Sequence, residues 1–253
     1  MDQPALAALL HRLADEYETA NFLANDPSRF MHEVDGDANR EATAFVAASL
    51  SFGRRDHFMG KVRWLLDCAE NDMERFIRSG AFERFLRPGD SRPFYRFFTC
   101  SAMNAFLRRY KALLECKGSL GSHVKAAAGG DAGEAIKAIC AWFGRDGGGV
   151  VPKDASSACK RVAMFLRWMV RGDSPVDLGL WRGFISPATL VMPLDTHVMQ
   201  EAARLGLCGG KCSSMAAARR LTAKLAAIFP GDPCRADFAL FGLGVSRPAA
   251  SVS

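Results

Sequence analysis

The chain has 253 residues, 49% of them apolar and 24% charged, with a formal net charge of +6. That length and apolar content can bury a core in one large domain or two small lobes, and they exclude a disordered chain. No apolar run reaches the roughly 20 residues of a bilayer-spanning helix. The start, MDQPALAALLHRLADEYETA, carries an early acid in place of a basic region and a continuous apolar block, so a cytoplasmic protein with no membrane partner is expected.

Leu6, Leu9, Leu10 and Leu13 give the opening stretch helical spacing. The same three- and four-residue spacing recurs along the chain, with few β-branched runs and no sustained alternation, and predicts an all-α fold. Residues 40 to 67 read as two helices, the first packed by Phe45, Val46 and Leu50, the second by Phe58, Val62, Leu65 and Leu66, with Gly53 at the joint. Residues 72 to 116 continue as helices interrupted at RPGDSRPF. Residues 118 to 133 are small and read as flexible, EAIKAICAWF returns to helix, and the loop 144–157, GRDGGGVVPKDASS, is an approximate boundary between two lobes of one domain spanning 1–253.

In ACKRVAMFLRWMVRGD, Val162, Phe165, Leu166, Met169 and Val170 make one apolar arc, while Lys160, Arg167 and Arg171 fall together on the opposite side. Such a cationic stripe is either a solvated face or one that follows a phosphate backbone. SPVDLGLW and SPATLVM each place Ser before Pro, a cap followed by a favoured first helical residue, and predict two short helices. In LVMPLDTHVMQEAARLGL, Asp195 stands where it can cap a helix that Gly206 closes. Val198 occupies the place where a capping box would need Glu or Gln, so a second role for that carboxylate stays open beside the cap. In DPCRADFALFGLGV, Phe238, Leu240, Phe241 and Leu243 read as core.

The eight cysteines, Cys68, Cys100, Cys116, Cys140, Cys159, Cys208, Cys212 and Cys234, are scattered through apolar or helical stretches and read mostly as reduced core residues. Cys208 and Cys212 have a metal-like spacing, but only Cys234 follows them, so no metal and no cofactor is expected.

SACKRVAMFLRWMVR, MPLDTHVMQEAARLGL, DPCRADFALFGLG and AFVAASLSFGRRD together resemble an uncharacterised family of bacterial proteins over most of the chain. LDTHVMQEAARLGL is also similar, more distantly, to the segment of helix-hairpin-helix DNA glycosylases in which a catalytic aspartate precedes Thr-His. Bifunctional members of that group carry an upstream lysine, and the position that matches it here is Lys160. Its spacing to Asp195 is closer to the archaeal 8-oxoguanine glycosylase branch than to endonuclease III. No Leu-Pro-Gly-Val-Gly hairpin precedes Lys160, the cluster-binding cysteines of endonuclease III are absent, and SLSFGRR stands where relatives carry a gap-filling Gln or Asn.

The resemblance implies a two-lobed helix-hairpin-helix-like fold with a cleft, acting on double-stranded DNA that contains a damaged base. The activity implied is a glycosylase with lyase function on a damaged purine, 8-oxoguanine by preference. Lys160 would attack the sugar, with Arg161 beside it and Arg167 on its face favouring the neutral amine. Asp195 would stabilise the cationic sugar and move protons. Phe52 is the candidate wedge and Arg54 and Arg55 the phosphate grips, with Arg161, Arg167, Arg171 and His197 as further DNA contacts. Lys153 is the alternative nucleophile, and a monomer is expected. Two other readings remain: a non-catalytic nucleic-acid-binding module, and an enzyme acting on a free nucleoside or modified base.

Overall fold

In a computed structural model that describes residues 2–209 and 214–245, several helices begin where polar side chains take up free backbone amides. Helix α1 (Gln3–Tyr17) starts with Asp2 accepting from the Ala5 amide at 2.9 Å and Pro4 in the first turn. After α2 (Arg29–His32) come α3 (Asp37–Leu50) and α4 (Arg55–Cys68), the pair expected from the sequence, turning at Gly53 with φ of 80°. α5 (Met73–Ser79) leads to a feature the helical spacing did not announce, a two-stranded antiparallel hairpin of β1 (Pro93–Tyr95) and β2 (Phe98–Thr99).

α6 (Cys100–Lys117) and α7 (Leu120–Ala128) follow, then α8 (Ala132–Phe143) and α9 (Lys160–Val170) on either side of the long loop. α10 (Thr196–Arg204), α11 (Met215–Ala226) and α12 (Ala236–Val245) complete the described chain. The fold is mostly helical, and among the described residues no helix is long and apolar enough to cross a membrane.

The core forms around α3, buried from Glu41 through Leu50, which packs against α2, α4, α5, α7 and α9. Phe45 is its centre, with ring centroids of Phe143 at 4.9 Å, Phe165 at 5.0 Å, Tyr110 at 5.4 Å and Phe106 at 5.7 Å. These edge-on and tilted aromatic contacts tie α3, α6, α8 and α9 into one apolar cluster. α1 crosses to the other end of the chain and lies along α12, which also carries α10. α9 is covered on every side, with each residue from Val162 to Val170 buried.

Three expectations are corrected. The small-residue stretch 118–133 is not a flexible segment, because Leu120, Val124 and Ala128 recur every fourth residue and are buried as one face of α7, capped by Ser119. SPVDLGLW forms no helix. Its backbone instead wraps the end of α9, where the Leu178 and Trp181 amides donate to the Trp168 and Met169 carbonyls at 2.7 Å. SPATLVM contributes a single 3-10 turn, Pro187–Thr189. Of the described cysteines, Cys100, Cys140, Cys159 and Cys234 are buried and free, while Cys116 is exposed; Cys212 lies outside the described residues.

Candidate active site

Two helix starts meet. Asp195 caps α10, its Oδ1 accepting from the Val198 amide at 2.9 Å, and Gly206 closes the far end at φ of 73°. One oxygen suffices for the cap. The other, Oδ2, lies 3.6 Å from Nζ of Lys160, the first residue of α9, whose preceding residue Cys159 holds a left-handed φ of 45°. The two side chains are 30% and 35% exposed, a setting in which an ion pair contributes at most about 1 kcal/mol to stability. Stability alone is therefore a weak reason for the pairing.

Both groups line a cavity of about 700 Å³. Its walls come from five places: the α3–α4 joint, the segment entering α10, one side of α9, α12, and the segment between α1 and α2 with Phe22, Asp26 and Pro27. Phe52 and Arg55 lie on the first wall, His197 on the second and Arg167 on the third, so six sequence-predicted residues, Lys160, Asp195, Phe52, Arg55, Arg167 and His197, share one hollow. The Arg55 guanidinium stands 5.8 Å from the ring of Phe241 across the mouth. Arg54 is exposed outside the cavity and bound to Asp56 at 2.7 Å. Lys153, the alternative nucleophile, is exposed in its loop and does not line the cavity.

The cationic stripe is corrected for two of its three members. Arg167 and Arg171 are each 3% exposed and cannot follow a phosphate backbone. Arg167 pairs with Asp177 and Asp237, while Arg171 pairs with Asp177, with Asp232 at 2.9 Å and with Glu18 at 2.7 Å. The segment after α9 (Asp177), the end of α1 (Glu18), the turn before α12 (Asp232) and α12 itself (Asp237) supply these carboxylates and cover the face that helical geometry alone would leave in water. Arg161 is also committed inward. It donates to the Ser49 carbonyl and lies 4.9 Å over Phe52 and 5.9 Å over Phe98, and burial brings its value down to about 10. Phe52, clasped by Arg161, Tyr95, Phe97 and Phe98, is part of the wall and cannot act as a projecting wedge.

Several wall residues escaped the sequence reading, Phe22, Asp26, Phe241 and Asp237 among them. Phe241, expected in the core, is half-buried and faces the cavity. Asp237, in the first turn of α12, lines the cavity floor beside Arg167. Burial raises its carboxyl above the usual range, Arg167 and Lys160 pull it down, and the charge of Asp195 pushes it up. Its acidic position at a helix start looks like a dipole partner in sequence, and no local signal marks it as a cavity group.

These elements define a helical protein with one lysine and three carboxylates, Asp26, Asp195 and Asp237, around one hollow. Residues 26–246 match the family described as proteins of unknown function, DUF2400, and the chain belongs to that family. Neither a curated protein nor a solved structure matches the chain.

Proposed function

We propose that this protein is a DNA glycosylase with lyase activity, built on a two-lobed helix-hairpin-helix-like scaffold, that removes a damaged purine, 8-oxoguanine by preference, from double-stranded DNA. The observation that carries this reading is the 3.6 Å approach of Lys160 Nζ to Asp195 Oδ2 on the wall of a cavity of about 700 Å³. That volume lies within the span of about 300–1,000 Å³ typical of small-molecule sites and accommodates an extruded nucleotide.

The attacking amine must first be neutral, and Asp195 Oδ2 is placed to accept its proton. Lys160 Nζ then bonds to C1′ of the sugar while the C1′–base bond breaks and its electron pair leaves with the base, which takes up a proton. The carboxylate of Asp195 offsets the positive charge that develops on the sugar. Loss of one of the two N–H protons and opening of the sugar ring, in which the C1′–O4′ bond breaks and O4′ takes up a proton, give an iminium between Nζ and C1′ that keeps the other N–H proton. Removal of a C2′ proton then expels the 3′-phosphate, and water frees the lysine.

Borohydride reduces the iminium to a stable amine, so trapping on duplexes carrying 8-oxoguanine or an abasic site tests the reading. The expected result is a covalent adduct with the wild type that disappears in Lys160→Gln. Binding without adduct or base release overturns it in favour of a non-catalytic module. Absence of DNA binding at low salt overturns it in favour of a free nucleoside or modified base as substrate.

A further inference from the structure

With Phe52 held in the wall, the duplex needs another side chain to fill the space an extruded nucleotide leaves. Phe97 is 70% exposed, against 41% for Phe85 and 39% for Trp64, the next most exposed large apolar side chains among the described residues. It occupies the tip of the β1–β2 hairpin, a turn position at which polar residues are the rule. The hairpin is fixed to the α3–α4 joint. The Tyr95 hydroxyl donates to the Phe52 carbonyl, and the Phe97 ring sits 5.1 Å from Phe52 and 4.7 Å from Phe98.

Arg96, at φ of 51°, lays its guanidinium 6.0 Å from the Phe52 ring. Gly53 beneath it holds a φ of 80°, which favours glycine, and a Cβ there would press on Arg96 Nη1 at 2.7 Å and on the Tyr95 hydroxyl at 2.9 Å. The same joint supplies Ser51, Phe52, Gly53 and Arg55 to the cavity wall, so the exposed ring stands one residue layer from the cavity that holds Lys160. Arg96 is exposed in the same turn, and Arg54 and Arg55 are exposed at the joint that the hairpin packs on, where Asp56 engages Arg54.

We infer that Phe97 is the residue that enters the base stack of duplex DNA in place of the extruded nucleotide, with the arginines at the hairpin and joint beside the flanking phosphates. This rests on the glycosylase reading above. An apolar ring inserted at a base step offsets part of the few kcal/mol lost in unstacking, and a short anchored hairpin presents that ring without first having to order it. The site takes a duplex with one nucleotide displaced.

The test compares wild type, Phe97→Ala and Phe97→Trp on three oligonucleotides: a duplex with a tetrahydrofuran abasic analogue, the same single strand, and a single strand with a true abasic site for borohydride trapping. Phe97→Ala is expected to weaken binding of the tetrahydrofuran duplex by about tenfold, the scale of one base–aromatic stack. Phe97→Trp keeps the wild-type affinity, and trapping on the single strand stays within about twofold for all three proteins. Equal duplex binding by Phe97→Ala and wild type overturns the inference. So does an equal loss on the single strand, which would make Phe97 a platform for unpaired bases. Wild-type protein that neither binds nor traps any of the oligonucleotides overturns the glycosylase reading itself, and is told apart because that result does not depend on Phe97.

Discussion

Glu41 and Asp195 are both carboxylates that serve the first turn of a helix, and their surroundings separate a purely structural acid from the one proposed to carry chemistry. Glu41 reaches from α3 to α7, where Oε1 accepts from the Leu120 amide at 2.9 Å and Oε2 from the Gly121 amide and the Trp181 indole, both at 3.0 Å. It is 7% exposed, and both oxygens are in use. Asp195 meets its cap with one oxygen and turns the other to Lys160 at the edge of a cavity. A helix start thus fixes a carboxylate whether or not it reacts. The spare, partly solvated oxygen is what distinguishes the second case.

The largest expected effect breaks the structural member. Glu41→Ala leaves two amides and an indole N–H buried without an acceptor, and urea unfolding should show a loss of about 3 kcal/mol or more. Trapped adduct per folded molecule should stay at the wild-type level. A parallel loss of adduct formation would erase the contrast between the two acids.

Asp195→Asn sharpens it from the other side. The amide oxygen can still accept from Val198, so stability should change by no more than about 0.5 kcal/mol. Base release under single-turnover conditions should slow by about 10²–10³-fold, the scale of a lost electrostatic group at a reacting centre. Asp195→Ala removes the cap as well and should cost about 1 kcal/mol more in unfolding than Asp195→Asn.

The smallest effect is in pH. Burial raises the Glu41 carboxyl above its ordinary value, although Trp181 and the Gly121 and Leu120 amides pull it down. A folded value above the unfolded one means that its stabilising share is complete below the unfolded value and declines as pH rises through the folded value. The stability gap between wild type and Glu41→Ala should therefore be wider below the unfolded carboxyl value of about 4.3 and narrower at neutral pH. Unfolding curves in the two ranges check the sign.

Much of the fold was legible because its signals are local. The four-residue spacing of Phe58, Val62 and Leu66 produces α4, and Asp195 with Gly206 brackets α10 at both ends. The candidate pair was legible in type and position as well, since Lys160 and Asp195 each stand at a helix start. What escaped depends on partners far along the chain. Arg171 reads as solvent-facing until Glu18, Asp177 and Asp232 are brought round it from three separate segments. Glu41 looks like an ordinary helix acid until α7 and Trp181 close on it. α7 itself was hidden by Gly121, Ser122 and the glycines and serine that flank it, and burial of Leu120 and Val124 helps it to form.

The most direct test is where the trapped DNA is attached. Wild-type adduct formed on an abasic duplex with borohydride is digested with protease and nuclease, and the modified peptide is sequenced by mass spectrometry. The remnant sugar is expected on Lys160, within the peptide that opens α9. A modification on Lys153 or another amine, with Lys160 unaltered, would contradict the assignment of the lysine beside Asp195 as the nucleophile.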